Sequence, residues 1–414
     1  MTASYLPRLI DGRLAAMLAG LPAVLVLGPR AAGKTTTAAL HARTVVRLDR
    51  ATEAVGFEAD PDVALRGLPE PVLLDEWQAV PGVLGAVKRA VDDDPRPGRF
   101  LITGSARADL DASGWPGTGR LTRLTMLPLT VREASGRDLS GPTFLDQTFD
   151  GGDAQLAAPP DPPDLRGYLE LAVRGGFPEA VLRVPADLRL DWQDSYLDQL
   201  VTRDVETISG GRDPRRLARF VEVYALNTAG VVSDTTIYGA AGVDRRTAAA
   251  YEALLASLLV VDSIPAWSTN RLKRLVRTPK RYLVDSGLAA GALKIDAAAA
   301  LRDGNLLGRL LDTFVVAQLR AELAVAVRRP RLYHLRQEGG VHEVDLVVEY
   351  PDRTVVGIEV KASAAPRLDS ARHLAWFRDT MGSAFRLGIV LHTGSYTYAL
   401  GERLVATPIS TLWA

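Results

Sequence analysis

Over residues 24–127 of this 414-residue chain, short apolar runs alternate with amphipathic stretches. The runs are Val24–Leu27, Val45–Leu48, Val72–Leu74, Phe100–Ile102 and Leu121–Leu127. Runs of this kind read as strands buried on both faces. Strand and helix in alternation predict βαβ units and a parallel sheet. The pattern then changes. Residues 136–164 are rich in Gly, Pro and Asp and predict a loop or insertion. Helical periodicity returns from Leu165 to about Ile208, broken at Gly175-Gly176-Phe177-Pro178. Gly210-Gly211-Arg212-Asp213-Pro214 marks a boundary.

From Arg215 to Trp267 the pattern is helix, turn, helix and a β-like run at Leu258–Ile264. Ser233-Asp234 suits a helix N-terminus, because a hydroxyl there accepts from a free backbone N–H. Gly242-Val243-Asp244 forms the turn and Arg245–Leu255 the second helix. Residues 268–300 read as a connection, first basic and then Ala-rich. The last unit opens with a helix, Leu306–Leu323. Strands follow near Leu332–Leu335, Glu343–Glu349, Val355–Lys361 and Leu387–Leu391. The chain is thus expected to divide at 1–135, 136–212, 213–270 and 271–414.

The formal net charge is zero. No global field draws the chain to nucleic acid or membrane, so such binding needs a local patch. Cysteine is absent, which excludes disulfides, thiolate metal sites and a cysteine nucleophile. Only five His occur, with no metal-ligand spacing. No segment approaches the roughly 18 apolar residues of a membrane helix, and Met1–Arg13 has no signal-like run. A cytoplasmic protein without a membrane partner is expected. Arginine outnumbers lysine 43 to 6. A lysine at a motif position therefore carries more information than an arginine.

One such lysine is Lys34. Gly28-Pro29-Arg30-Ala31-Ala32-Gly33-Lys34-Thr35 follows an apolar strand and precedes a helix, matching a phosphate loop in full. Backbone N–H groups in such a loop wrap the phosphates of ATP or ADP, and Gly28 and Gly33 permit the close approach. Lys34 reaches the β- and γ-phosphates, the Thr35 hydroxyl binds Mg²⁺, and Thr36 continues the contact. About forty residues on, Val72-Leu73-Leu74 ends in Asp75-Glu76. Asp75 suits Mg²⁺ held through water, and Glu76 suits a general base for the attacking water. The strand Phe100–Ile102 ends in Thr103-Gly104-Ser105. There Thr103, or second Ser105, is placed to contact the γ-phosphate or the water.

The runs Leu74–Gln78, Leu101–Ser105, Leu127–Thr130, Arg174–Glu179 and Arg203-Asp204 together resemble AAA+ ATP-binding proteins of bacteria and archaea that carry a C-terminal domain of unknown function 4143. The resemblance covers nearly the whole chain. It implies an α/β fold: a P-loop NTPase core with a helical lid, a winged helix and a restriction-endonuclease-like α/β domain. It also implies a Gly-x-Pro lid element near the nucleotide, matched by Gly176-Phe177-Pro178. An arginine that senses the γ-phosphate is implied too, with Arg174, Arg203, Arg107 and Arg123 as candidates.

Two further segments suggest an output. Val232–Ile264 reads as a winged helix-turn-helix whose second helix begins Arg245-Arg246-Thr247, suited to phosphate or base contact. Six cations and no acid lie between Arg271 and Arg281; such a run suits DNA phosphates or is balanced by acids elsewhere. In the last unit Asp345 lies on one strand and Glu359-Val360-Lys361 on the next. Residues two apart share a strand face. Asp345 and Glu359 are then candidates to hold Mg²⁺, Asp312 to add a carboxylate, and Lys361 to orient or deprotonate water. The set resembles the Asp, Glu-x-Lys motif of restriction-endonuclease-like nucleases. Two outputs stay open: an ATP-switched DNA nuclease, or an ATP-regulated DNA-binding or protein-interaction regulator without cleavage. Oligomeric state is not legible.

Overall fold

A computed structural model describes residues 5–104, 118–150, 156–209, 214–274, 277–337 and 340–414; of residues 203–209 and 273 only the backbone is described. The chain forms two compact units, Met1–Leu129 with Leu254–Val260, and Thr130–Ala253 with Val261–Ala414.

The first unit is built on five strands, β1 Ala23–Leu27, β2 Thr44–Arg47, β3 Val72–Asp75, β4 Phe100–Gly104 and β5 Leu121–Thr125. They form one parallel sheet in the order β2-β3-β4-β1-β5. The expected apolar runs are these strands, shifted by a residue or two. Every residue of β1, β3 and β4 is buried, which is why their sequences do not alternate. β4 lies between β1 and β3, so the carboxylate strand is one strand removed from the phosphate-loop strand.

The second unit contains the strands β6 Val261–Ile264, β7 Lys280–Leu283, β8 Arg331–Arg336, β9 Glu343–Glu349, β10 Val355–Val360, β11 Phe385–His392, β12 Tyr398–Gly401 and β13 Leu404–Pro408. The last six form a mixed sheet in the order β12-β13-β11-β10-β9-β8. β8, β9 and β10 are antiparallel neighbours, while β10, β11 and β13 run parallel. A parallel pair needs a crossover, and the helix Arg372–Met381 supplies it, burying Leu374 and Phe377 in the sheet's core. β6 and β7 pair antiparallel.

Two sequence expectations are corrected here. Residues 136–164 are not only loop: Phe144–Asp150 is a helix with Phe144 and Leu145 buried. Both Glu322 carboxylate oxygens accept from its first amides, at 3.2 and 3.1 Å. A partner 178 residues away completes that helix end, which local composition cannot show. Residues 268–300 are not a connection either. They hold β7 and the helix Ser286–Leu293, six of whose residues are buried. The Ala-rich run is small because it is packed.

Two helices with a turn between them lie at residues 234–257. Asp234–Ala241 is capped by Ser233, Gly242 takes φ 67°, and Arg245–Ser257 follows. The Asp244 carboxylate accepts from the amides of Arg246 and Thr247 at 2.9 and 3.0 Å.

Candidate functional sites

The loop after β1 has the shape its chemistry requires. A Cβ on Gly28 would lie 2.2 Å from the Met126 carbonyl oxygen, so only glycine fits. Ala31 and Gly33 take φ 58° and 96°, and the first is costly for a residue with a Cβ. The helix Lys34–Ala39 starts directly from Gly33 with no side-chain cap. Lys34 is 4% exposed. Its ammonium donates to the carbonyls of Gly28 and Pro29 at 3.0 and 2.9 Å, folding back over the loop. Burial lowers its pKa to about 8, against the opposing pull of Glu76 and Asp75.

Asp75, at the end of β3, gathers two hydroxyls on one oxygen. Thr35 Oγ1 donates to Asp75 Oδ1 at 2.8 Å, and Thr103 Oγ1 donates to the same atom in a short bond. Residues 40 and 28 positions apart thus meet at one carboxylate. Glu76 takes the left-handed conformation, φ 54° and ψ 53°. Such backbone strain in a non-glycine residue clusters at working sites. Its carboxylate accepts a hydrogen bond from Gln78. A Cβ on Gly104 would meet the Trp77 ring at 2.3 Å, so glycine lets β4 close on this turn.

The expected residues Lys34, Thr35, Asp75, Glu76 and Thr103 all belong to this unit. Ser105 and Arg107 lie outside the described residues, as does the Arg203 side chain. Arg123 sits on β5 and is exposed. One supporting residue was missed. Arg8, 6% exposed, donates to the carbonyls of Ala32 and Leu127 at 2.8 and 2.7 Å and so braces the loop from behind. No local motif marks it.

In the second unit, Pro178 starts the helix Pro178–Leu182. The turn before it is held by Asp285, which accepts from the Gly176 amide at 2.7 Å. Phe177 is buried against Trp192 and Tyr196. These contacts give the turn a structural job and add no support for Pro178 at a nucleotide. Arg174 is partly buried, and burial lowers its pKa, with Arg189 adding to the effect.

The carboxylates of the C-terminal sheet do converge. β9 and β10 pair antiparallel, and the Val360 amide donates to Asp345 Oδ2 at 3.1 Å. Lys361 Nζ donates to Glu359 Oε2 at 2.7 Å, as residues sharing a face should. The Glu359 carboxyl adjoins that of Asp345, and its Oε1 is buried without a donor. Burial, then the charge of Asp345, push Glu359 well above the carboxylate range despite Lys361. Burial also acts on Asp345, but Lys280 and Lys361 outweigh it and hold Asp345 low.

The sequence left the basic run open between DNA phosphates and acids elsewhere in the chain. At Lys280 the partners are internal acids. Lys280 is 3% exposed. Its ammonium lies 2.5 Å from Asp312 Oδ2 and 3.4 Å from Asp345 Oδ1. Tyr282, two residues on along β7, donates to the other Asp312 oxygen at 3.0 Å. Burial opposes the charge on Lys280, yet Asp312, Tyr282 and Asp345 raise its pKa well above the usual value. Asp312 is pushed up to about 6 by burial, with Lys280 opposing. Two more cations of the run are also spent internally. Arg274 forms a two-pronged pair with Glu349 at 2.6 and 2.9 Å, and Arg281 binds Asp234 and Glu252. The rarity of lysine, which singled out Lys34 and Lys361, would have singled out Lys280.

The pocket over this cluster has a volume of about 430 Å³, lined by Lys280, Asp312, Asp345, Lys361, Arg309 and Arg336 among others. Among the described residues, no group of three or more His, Asp or Glu could hold a metal ion. None of their helices is long and apolar enough to cross a membrane.

Comparison with known proteins places these features. Residues 21–135 match an AAA domain, residues 165–299 the domain of unknown function 8612, and residues 307–412 the domain of unknown function 4143. A Walker-type ATPase of Pyrococcus abyssi is similar at a TM-score of 0.44, with 14% identity over 70% of this chain and 96% of its own. The Orc1 protein of Aeropyrum pernix, in complex with DNA, is similar at 0.29, with 16% identity over 73% and 96%. Uncharacterized proteins of Mycobacterium tuberculosis and Mycobacterium bovis are each 30% identical over 96% of this chain and 82% of their own. The chain belongs to the family of these proteins, with an AAA domain at its N-terminal end and the domain of unknown function 4143 at its C-terminal end.

Proposed function

We propose that this chain is an ATPase that binds ATP with Mg²⁺ at the phosphate loop, hydrolyses it, and uses the ATP/ADP cycle to switch a DNA-associated module in its second unit. One observation carries the ATPase reading: the hydroxyls of Thr35 and Thr103 meet on Asp75 Oδ1, beside the loop that Lys34 covers. That is the donor set a hydrated Mg²⁺ needs, a hydroxyl ligand and a carboxylate at hydrogen-bond range. When bound, Mg²⁺ would neutralise phosphate charge. Lys34 would move from the loop carbonyls to the phosphates, Thr103 would position the water, and Glu76 would accept its proton. Lys34→Ala should weaken ATP binding by about a hundredfold or more, the loss of a charge-assisted contact in a buried loop. Glu76→Gln should keep binding and lose turnover. ATP bound tightly by Lys34→Ala, in equilibrium dialysis, would sink the reading.

The DNA association rests on the exposed Arg245 and Arg246 at the start of the second helix of the helix-turn-helix, with β6 and β7 as the wing. The basic run adds less than its composition suggests, because Arg274, Lys280 and Arg281 are paired internally.

A second reading, phosphodiester cleavage, is favoured by the meeting of Asp345, Glu359 and Lys361. The residues do not fit a divalent ion as they stand, since Asp312 is held by Lys280 and Tyr282. Pure protein incubated with plasmid and oligonucleotides, with and without ATP and Mg²⁺, separates the readings. Nicking that disappears in Glu359→Ala and Lys361→Ala would establish the nuclease. No nicking beside salt-dependent DNA binding would establish the regulator.

A further inference from the structure

We propose that Lys280 is the resident cation of the C-terminal carboxylate pocket, standing between Asp312 and Asp345 where a divalent metal would otherwise sit. The inference does not depend on ATP hydrolysis in the first unit.

Three features support it. The first is position. The Lys280 ammonium is 2.5 Å from one carboxylate and 3.4 Å from the other, so a single positive atom bridges both. The helix Gly304–Leu323 supplies Asp312 and β9 supplies Asp345, and β7 delivers the lysine to their junction. The second is fixation. The Lys280 side chain is 4% exposed, and its strand is locked on both sides. Tyr282 holds Asp312 on the same face, and Arg281 ties the opposite face to Val232, Asp234 and Glu252. Turning the lysine into the pocket would break its pair with Asp312. The third is charge. Lys280 and Lys361 already place two positive charges against the carboxylates. A divalent ion between Asp312 and Asp345 would have to displace Lys280, leaving a buried ammonium unpaired, which is strongly unfavourable.

A pocket assembled this way keeps its shape without metal. The carboxylates are spent on a covalently attached cation, and Mg²⁺ or Mn²⁺ has no place between Asp312 and Asp345. Removing the ammonium should create that place.

The test is Mn²⁺ binding to the full-length, nucleotide-free protein, counted by the electron paramagnetic resonance signal of free Mn²⁺. Wild type and Asp345→Asn are compared first, so that any metal at the phosphate loop cancels. They should bind equal amounts. Lys280→Ala should take up one extra Mn²⁺ per chain, lost again in Lys280→Ala with Asp345→Asn. One more Mn²⁺ in wild type than in Asp345→Asn would overturn the proposal. So would a folded Lys280→Ala that takes up none. Lys280→Gln, closer in length, serves the same purpose if the alanine variant does not fold. If neither folds, the wild-type and Asp345→Asn pair decides alone.

Discussion

Both units bury a lysine in the neighbourhood of carboxylates, but they use the lysine in opposite ways. At the phosphate loop Lys34 rests on two backbone carbonyls, weak partners for a charge, while Asp75 binds hydroxyls. Burial therefore wins, and Lys34 titrates near 8. In the C-terminal pocket Lys280 rests on ionised carboxylates, and its pKa goes the other way. A lysine held by carbonyls can be transferred to an arriving anion at small loss. A lysine held by two carboxylates is part of the framework. Similar burial therefore leaves one lysine able to exchange its partners and fixes the other in the framework.

The largest test of this contrast is stability. Lys280→Ala leaves Asp312 buried without its partner and should cost about 3–5 kcal/mol in urea unfolding. Lys280→Met combined with Asp312→Leu removes both charges and should regain most of that. If the single variant costs no more than a surface substitution, the contrast fails.

The next effect is on pH dependence. Without nucleotide, Lys34 loses its proton as pH rises through about 8, whereas bound phosphates favour the protonated form. ATP affinity should be flat below about pH 8 and fall above it, approaching about tenfold per unit. Binding above that pH should take up a proton, measurable as a dependence of calorimetric heat on the ionisation heat of the buffer. The pocket lysine should show no such step.

A smaller effect separates the two C-terminal carboxylates. Burial, then Asp345, hold Glu359 well above the usual range, so Glu359→Gln removes a charge that its surroundings already disfavour. It should change unfolding free energy by about 1 kcal/mol or less. Asp345→Asn, which removes a charge facing Lys280, should cost more. Smallest of all, Arg245→Ala with Arg246→Ala should stay within about 0.5 kcal/mol in stability, while DNA affinity falls and its salt dependence weakens.

The contrast also explains what could be read in advance. The phosphate loop is contiguous, so its residues declare each other, and Asp75 follows because strand ends in a parallel sheet sit together. Three strands of the first unit, β1, β3 and β4, were legible for a related reason: full burial leaves unbroken apolar runs. The cap Ser233 was legible because capping is local. Lys280 was not, since its partners lie 32 and 65 residues away and its neighbours are arginines on other duties. Nor was the helix Phe144–Asp150, which depends on Glu322. β12 and β13 were missed as well. β12 is half exposed and only four residues long, and β13 finds its place through pairing with β11.

β7 has a mechanical consequence. Its side chains alternate: Lys280 and Tyr282 reach the carboxylate pocket, while Arg281 reaches back to the helices Asp234–Ala241 and Arg245–Ser257. A slip of one residue would reverse every one of these attachments, so the strand cannot slide to pass on a change. It can only tilt or translate as a rod. Whatever moves the helix pair must carry the floor of the pocket with it.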